Sequence, residues 1–243
     1  MSLGIRARLQ AWQQRRESKR RLAEAAERIG GSALSGVIDQ PDRLFDAAFR
    51  LNAWQGRESR SGRGADLDNT EALRDALPPM LAQLRVRRLL DIPCGDFFWL
   101  QHVPLDLDAY IGADRVAALI MQNRERHCAP KREFIVRDIV RDPLPPSDLV
   151  LCRDLLVHLC YADIRKALRN IRRSGATWLL ATHFTAIDRP NTDIQTGDWR
   201  PLNLCLPPFC LPEPELLIDE RYLGENGRWR DKHLGLWSAG SLP

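Results

Sequence analysis

From residue 87 onward the chain alternates short apolar runs with stretches of helical period. RRLLDI (87–92), AYIGAD (109–114), EFIVRD (133–138), SDLVLC (147–152) and TWLLATHF (177–184) are the apolar runs. Each is too short for a core helix and has the near-continuous hydrophobicity of a strand buried on both faces. RVAALIMQNRERH and YADIRKALRNIRRSG carry helical periodicity, and FFWLQHV reads as a short helix. Strands separated by helices predict a parallel sheet. ELLIDERYL and HLGLWS predict two late strands joined by a turn at Gly224–Gly227. The predicted fold is α/β: a mostly parallel seven-stranded sheet with helices on both faces.

Before residue 87 the pattern is helical and broken. Leu44, Phe45, Ala48, Phe49 and Leu51 predict a helix within 41–55. QGRESRSGRGAD follows as a Gly/Ser/Arg loop. Leu73, Leu77, Leu81 and Leu84 predict a second helix over 69–84, which Pro78-Pro79 should distort or break. Residues 1–30 predict a basic helix ending at Gly30-Gly31-Ser32. The Pro-rich stretch from Pro201 to Pro214 also carries Leu, Phe and Cys, so it reads as an ordered loop.

Composition narrows the class. The 243 residues suit one α/β domain with additions. The first thirty hold eight basic and three acidic side chains, an excess of five that exceeds the whole chain's net +4. The remainder is near neutral, so nucleic acid is not the expected partner. No apolar run approaches the ~20 residues of a membrane span. The start lacks a secretory leader, which predicts a cytoplasmic protein. Cys94, Cys128, Cys152, Cys160, Cys205 and Cys210 form no CxxC pair, so no metal is expected and the thiols read as free.

Candidate chemistry concentrates in LLDIPCGDFFWL, residues 89–100. Asp91 ends a strand, and Gly95 permits a tight turn against a ligand. Open α/β sheets bind ligands at the carboxyl ends of their strands. Asp114, nineteen residues beyond Gly95, ends the next strand, where an acid can accept the ribose hydroxyls of an adenosine. Asp138 ends the third strand, placed to face an adenine amino group with Ile139 against the ring. The ordered set LLDIPCGDF, YIGAD, VRDI and SDLVLCRDLLVHL resembles the class I S-adenosylmethionine (SAM)-dependent methyltransferases. Pro93 stands where their first motif glycine is usual, and Phe97 follows Asp96 where another glycine is frequent. A bacterial and phage branch with an LDIPCGDFxW motif shares that departure, and it also resembles this chain in RDLLVHL, TGDWRPLNL and DKHLGLW. The missing Gly-x-Gly-x-x-Gly argues against a dinucleotide enzyme.

The resemblance implies SAM as cofactor, held by Asp91, Pro93, Gly95, Asp96, Asp114, Asp138 and Ile139. It implies that Arg153 meets the methionine carboxylate and that Trp54, with Arg60 of the following loop, belongs to a lid. The chain then divides into a basic helical extension (1–40), a helical lid segment (41–86) and a Rossmann-like methyltransferase domain (87–243) with an acceptor-side insertion (184–214). Asp154 and His158, four apart on an expected helix, are catalytic candidates, with Asp154 ranked first, and His183 is a third. Asp193, Trp199, Arg200 and Asn203 of the insertion are candidate acceptor contacts, and Asp231-Lys232 reads as a turn salt bridge. The expected reaction is methyl transfer to a hydroxyl of a sugar or related small polar molecule, with a small-molecule or glycan partner. Two alternatives stay open. One is an RNA or protein methyltransferase docking through the basic N-terminus; the other is a non-catalytic adenosine-binding module. The sequence leaves the oligomeric state undetermined.

Overall fold

The computed structural model describes residues 41–243, so the basic segment 1–40 lies outside the described residues. Helix α1 spans Pro41–Leu51 and α2 Glu71–Gln83. Strands β1 (Arg88–Asp91) and β2 (Ala109–Asp114) are followed by α3 (Ala117–His127), β3 (Arg132–Val136) and β4 (Leu149–Cys152). Then come α4 (Tyr161–Arg173), β5 (Trp178–Phe184), β6 (Leu216–Asp219) and β7 (Lys232–Ser238). None of the described helices is long and apolar enough to cross a membrane.

The seven strands form one sheet in the order β3-β2-β1-β4-β5-β7-β6. Pairings β1–β2, β1–β4, β2–β3 and β4–β5 are parallel. Those of β7 with β5 and β6 are antiparallel, so the sheet is mixed. No helix of crossover length lies between β6 and β7, and without one a parallel return is not available. Strand order reverses between β1 and β4. With right-handed crossovers, α3 and α4 therefore pack on opposite faces, and a crevice opens at the β1/β4 ends. Leu90, Leu149, Val150, Leu179 and Leu180 are fully buried at the centre. Each contributes about 1.5–3 kcal/mol through removal from water.

Four local expectations need correction. Pro78-Pro79 does not end α2. Buried Leu73, Leu77, Met80 and Leu81 hold the helix to the core, and the carbonyls deprived of donors belong to half-buried Arg74 and exposed Asp75. FFWLQHV is not a helix beyond the single turn Leu100–His102, because Phe97 takes φ 57 and Pro104 follows closely. The segment after β4 is a turn of 3-10 helix, Leu156–His158, entered through Asp154 at φ 57. Asp154 and His158 thus share no helix face. Strand β6 stops at Asp219, and Arg221 adopts φ 49, which turns the chain off the strand direction.

Candidate active site

A cavity of about 700 Å³ opens at the strand ends, within the usual size of a small-molecule site. Its floor is Asp91, Ile92, Pro93, Cys94 and Gly95 after β1, with Asp114 after β2 and Asp138–Ile139 after β3. Asp91 accepts a hydrogen bond from the Tyr110 hydroxyl at 2.7 Å. Asp114 accepts one from the Val116 amide at 2.9 Å. Both carboxylates are buried, and neither has a salt-bridge partner among the described residues. Burial, the largest cause, pushes Asp91 up to about 7 and Asp114 up to about 6. Arg153 and Arg115 offset that burial only in part, so the two acids favour a ligand that brings hydroxyl donors and positive charge.

That electrostatics has a measurable sign. The raised pKa values mean that the empty protein loses stability as pH climbs from about 4 through about 7, where these acids ionise in the folded state. A ligand that donates to the ionised carboxylates lowers their pKa values and expels protons. Affinity for such a ligand should therefore rise from pH 5.5 to about 8, with protons released on binding near pH 6–7. Calorimetry in buffers of different ionisation enthalpy checks this, and a flat, proton-neutral profile would contradict it.

The loop after α1 forms the roof. Asp66 accepts from the amides of Arg57, Glu58 and Ser59 at 3.2, 3.0 and 3.2 Å, which curls the loop. Gly62, at φ 105, lies so close to Trp54 that a Cβ would come within 2.8 Å of the tryptophan's own Cβ. Trp54 lines the cavity, with its ring centroid 6.1 Å from that of His158 and 6.4 Å from that of Phe45. Arg60 is exposed and not among the lining residues; its contribution is a backbone amide given to Asp96 at 2.8 Å.

At the far end lies a buried charge cluster that the sequence reading missed. Lys232 Nζ donates to Asp154 Oδ2 at 2.8 Å and lies 3.1 Å from Glu220 Oε2. Arg153 Nη2 donates to Glu220 Oε2 at 2.6 Å and to the Gly64 carbonyl at 2.7 Å. Two cations and two carboxylates balance. Burial pushes Asp154 up, but Lys232 and Arg153 outweigh it and hold the carboxylate well below its usual range. Asp154 is thereby a weak base, and Arg153 already spends Nη2 on the roof and the β6 end, with Nη1 3.5 Å from Asp154. Asp231, expected to pair with Lys232, instead pairs with Arg189 at 3.1 Å. Alternation along the strands was the available signal: Lys232 is in phase with Leu234 and Leu236, and Glu220 with Ile218.

His158 lines the cavity and sets its Nδ1 2.9 Å from the Asp198 carbonyl. A carbonyl only accepts, so Nδ1 carries the proton and Nε2 keeps its lone pair. Burial lowers the His158 pKa, leaving the ring neutral at pH 7. The wall beyond is aromatic: Trp199 and Trp229 meet edge to face with centroids 5.0 Å apart, and Phe184 meets Trp199 at 6.1 Å.

The other expected acceptor residues do not line the cavity. His183 is buried, accepts from the Leu204 amide at 3.2 Å and packs on Trp237. Asp193 takes the Tyr161 amide at 2.8 Å, at the start of α4. Buried Arg200 donates to the carbonyls of Leu156 and Leu159 at 2.9 and 2.8 Å. Asn203 accepts from the Cys205 amide at 2.9 Å. These four brace the insertion, which still gives Phe184, Thr196, Gly197 and Trp199 to the cavity wall. Polar residues in a loop of 31 residues must first satisfy its own backbone, which sequence alone does not separate from ligand binding.

No protein-family model matches the chain, and no curated protein matches it in sequence. Solved structures do match its fold. Human N-acetylserotonin methyltransferase, in complex with SAM, aligns with a TM-score of 0.51 at 15% identity, covering 74% of this chain and 55% of that one. The N-methyltransferase NodS from Bradyrhizobium japonicum WM9 aligns with a TM-score of 0.49 at 15% identity, over 70% of this chain and 93% of its own. The methyltransferase domain of bacterial CtHen1-C gives 0.42 at 12% identity, over 49% and 66%. The chain thus spans about half the length of the human enzyme and under two thirds of the CtHen1-C domain. What the likeness shows is the architecture: this chain has a methyltransferase-like α/β fold with a seven-stranded mixed sheet.

Proposed function

We propose that the chain is a SAM-dependent methyltransferase whose acceptor is a hydroxyl of a small polar molecule, such as a sugar or related metabolite. The observation that carries this reading is the pair of buried carboxylates, Asp91 and Asp114, with no salt-bridge partner among the described residues, facing one cavity on a methyltransferase-like sheet. The chemistry of that donor set fits the cofactor. Asp114 would accept the ribose hydroxyls, Asp91 would face the positively charged methionine end, and Asp138 with Ile139 would border the adenine. Bound there, SAM supplies an electrophilic methyl group on a sulfonium leaving group.

The chain's own residues do the rest. Positioning dominates such a transfer, because the electrophile needs no activation. Residues 41–86 supply the roof, with Trp54 and Gly62–Gly64 excluding water. Trp199 offers aromatic surface to a ring, while Arg189 and Arg228 lie over the ring of Trp229 behind it. His158 Nε2 takes the proton from the acceptor hydroxyl. Asp154, tied to Lys232, holds charge in place and does not exchange protons. The charge cluster is neutral overall and so suits a polar, uncharged acceptor.

Asp114→Ala should weaken SAM by about 1–3 kcal/mol through loss of charge-assisted hydrogen bonds. Calorimetry on the folded variant measures this, and unchanged affinity would remove Asp114 from the site. The function itself is tested by transfer of labelled methyl from SAM into fractionated cell extract. Label in a small, hydroxyl-bearing product supports the reading. Label in RNA or protein would favour a macromolecular acceptor, and SAM binding without transfer would favour a non-catalytic module.

A further inference from the structure

We propose that Asp96 is a positioning residue that latches the roof loop over the cofactor, rather than a cofactor ligand. The proposal rests on the reading of the cavity as a SAM site. Asp96 follows Gly95 at the start of the motif, and its contacts run to the loop. Oδ1 accepts from Ser59 Oγ at 2.8 Å and from Ser61 Oγ at 3.1 Å. Oδ2 accepts from the Arg60 amide at 2.8 Å, and the Asp96 amide donates to Ser61 Oγ at 3.0 Å. Both carboxylate oxygens are thus engaged by groups 35 to 37 residues earlier in the chain.

The fit is tight. A Cβ on Gly95 would lie 2.2 Å from Ser61 Oγ, so the loop rests on the motif backbone itself. Its other end is held by Arg153, which donates to the Gly64 carbonyl at 2.7 Å. Between the two anchors, Ser61 to Gly64 line the cavity. The Arg153 anchor is a charged, buried group with partners of its own. The Asp96 anchor is made of neutral donors at the rim and is the one that can yield. Asp96→Asn replaces an acceptor oxygen with a donor nitrogen, so at least one of the three loop donors loses its acceptor. A roof loosened there releases bound ligand faster and leaves the encounter rate unchanged.

The test uses the full chain and S-adenosylhomocysteine as probe, with Asp96→Asn and, from the loop side, Ser59→Ala/Ser61→Ala. Stopped-flow tryptophan fluorescence gives association and dissociation rates, and timed trypsin digestion with mass spectrometry reads cleavage at Arg57, Arg60 and Arg63. Both variants should dissociate the probe about tenfold faster, with association little changed, the effect of losing one or two such hydrogen bonds. Both should be cut faster in the loop, with or without probe, while cleavage elsewhere is unchanged. Unchanged loop cleavage in Asp96→Asn overturns the latch. So does normal probe binding by the serine variant beside impaired binding by Asp96→Asn, which would make Asp96 a direct ligand. A wild-type chain that binds no probe refutes the SAM reading instead, and the digestion without probe still reports on the latch. Should Asp96→Asn fail to fold, the serine variant decides alone.

Discussion

His158→Gln is expected to slow methyl transfer by about 10²–10⁴ while leaving SAM affinity unchanged, the usual scale for removal of a general base. Three observations converge on this side chain. It lines the cavity, its Nδ1–H is committed to the Asp198 carbonyl, and burial holds the ring neutral. Nε2 is therefore basic and unprotonated at neutral pH, whereas Asp154 is held ionised by Lys232. On this account His158, rather than the first-ranked Asp154, is the base. Wild-type turnover at saturating SAM should fall as pH drops through the His158 pKa, below its ordinary 6.5, and the variant should lack that limb. Saturation separates this effect from the acid-side loss of cofactor affinity caused by Asp91 and Asp114. Single-turnover rates across pH measure it. Near-wild-type rates with the same profile would leave the enzyme to work by positioning alone.

Lys232→Met is expected to destabilise the fold by about 3–5 kcal/mol, the cost of breaking a buried ion pair from one side. Lys232 has a side chain only 6% exposed, and its ammonium bridges Asp154 and fully buried Glu220. Removing it leaves two carboxylates sharing Arg153, while Glu220 Oε1 already lacks a hydrogen-bond partner among the described residues. Asp154 also sits at φ 57, with its amide donating to Thr182 Oγ1 at 2.8 Å, so it has little freedom to swing into solvent. Reversible denaturant unfolding measures the change. A loss below about 1 kcal/mol, typical of an exposed pair, would mean that the cluster is solvated in the native protein.

The sheet was legible because burial on both faces leaves a strong signature. Runs such as LLDI and LVLC have few competing interpretations, and the registers β1–β2 and β1–β4 bring Asp91 and Asp114 to neighbouring strand ends. The cavity floor was legible for the same reason, since strand ends are fixed by the strands. The far wall was not. Lys232 and Glu220 come together across β7 and β6 and meet residues 78 and 67 positions away, a proximity that local patterning does not encode. Arg200 and Asn203 carried polar groups that looked available, but carbonyls of the segment after β4 claimed the first and an amide of the insertion the second. The expected helix after β4 failed at Asp154, whose left-handed backbone is set by Thr182 and Lys232, both remote in sequence.

Equilibrium dialysis of the full chain against labelled SAM tests the central claim most directly. The account predicts saturable binding of one molecule per chain, displaced by S-adenosylhomocysteine and weakened about tenfold or more in Asp114→Ala. No saturable binding, or binding indifferent to Asp114, would contradict it.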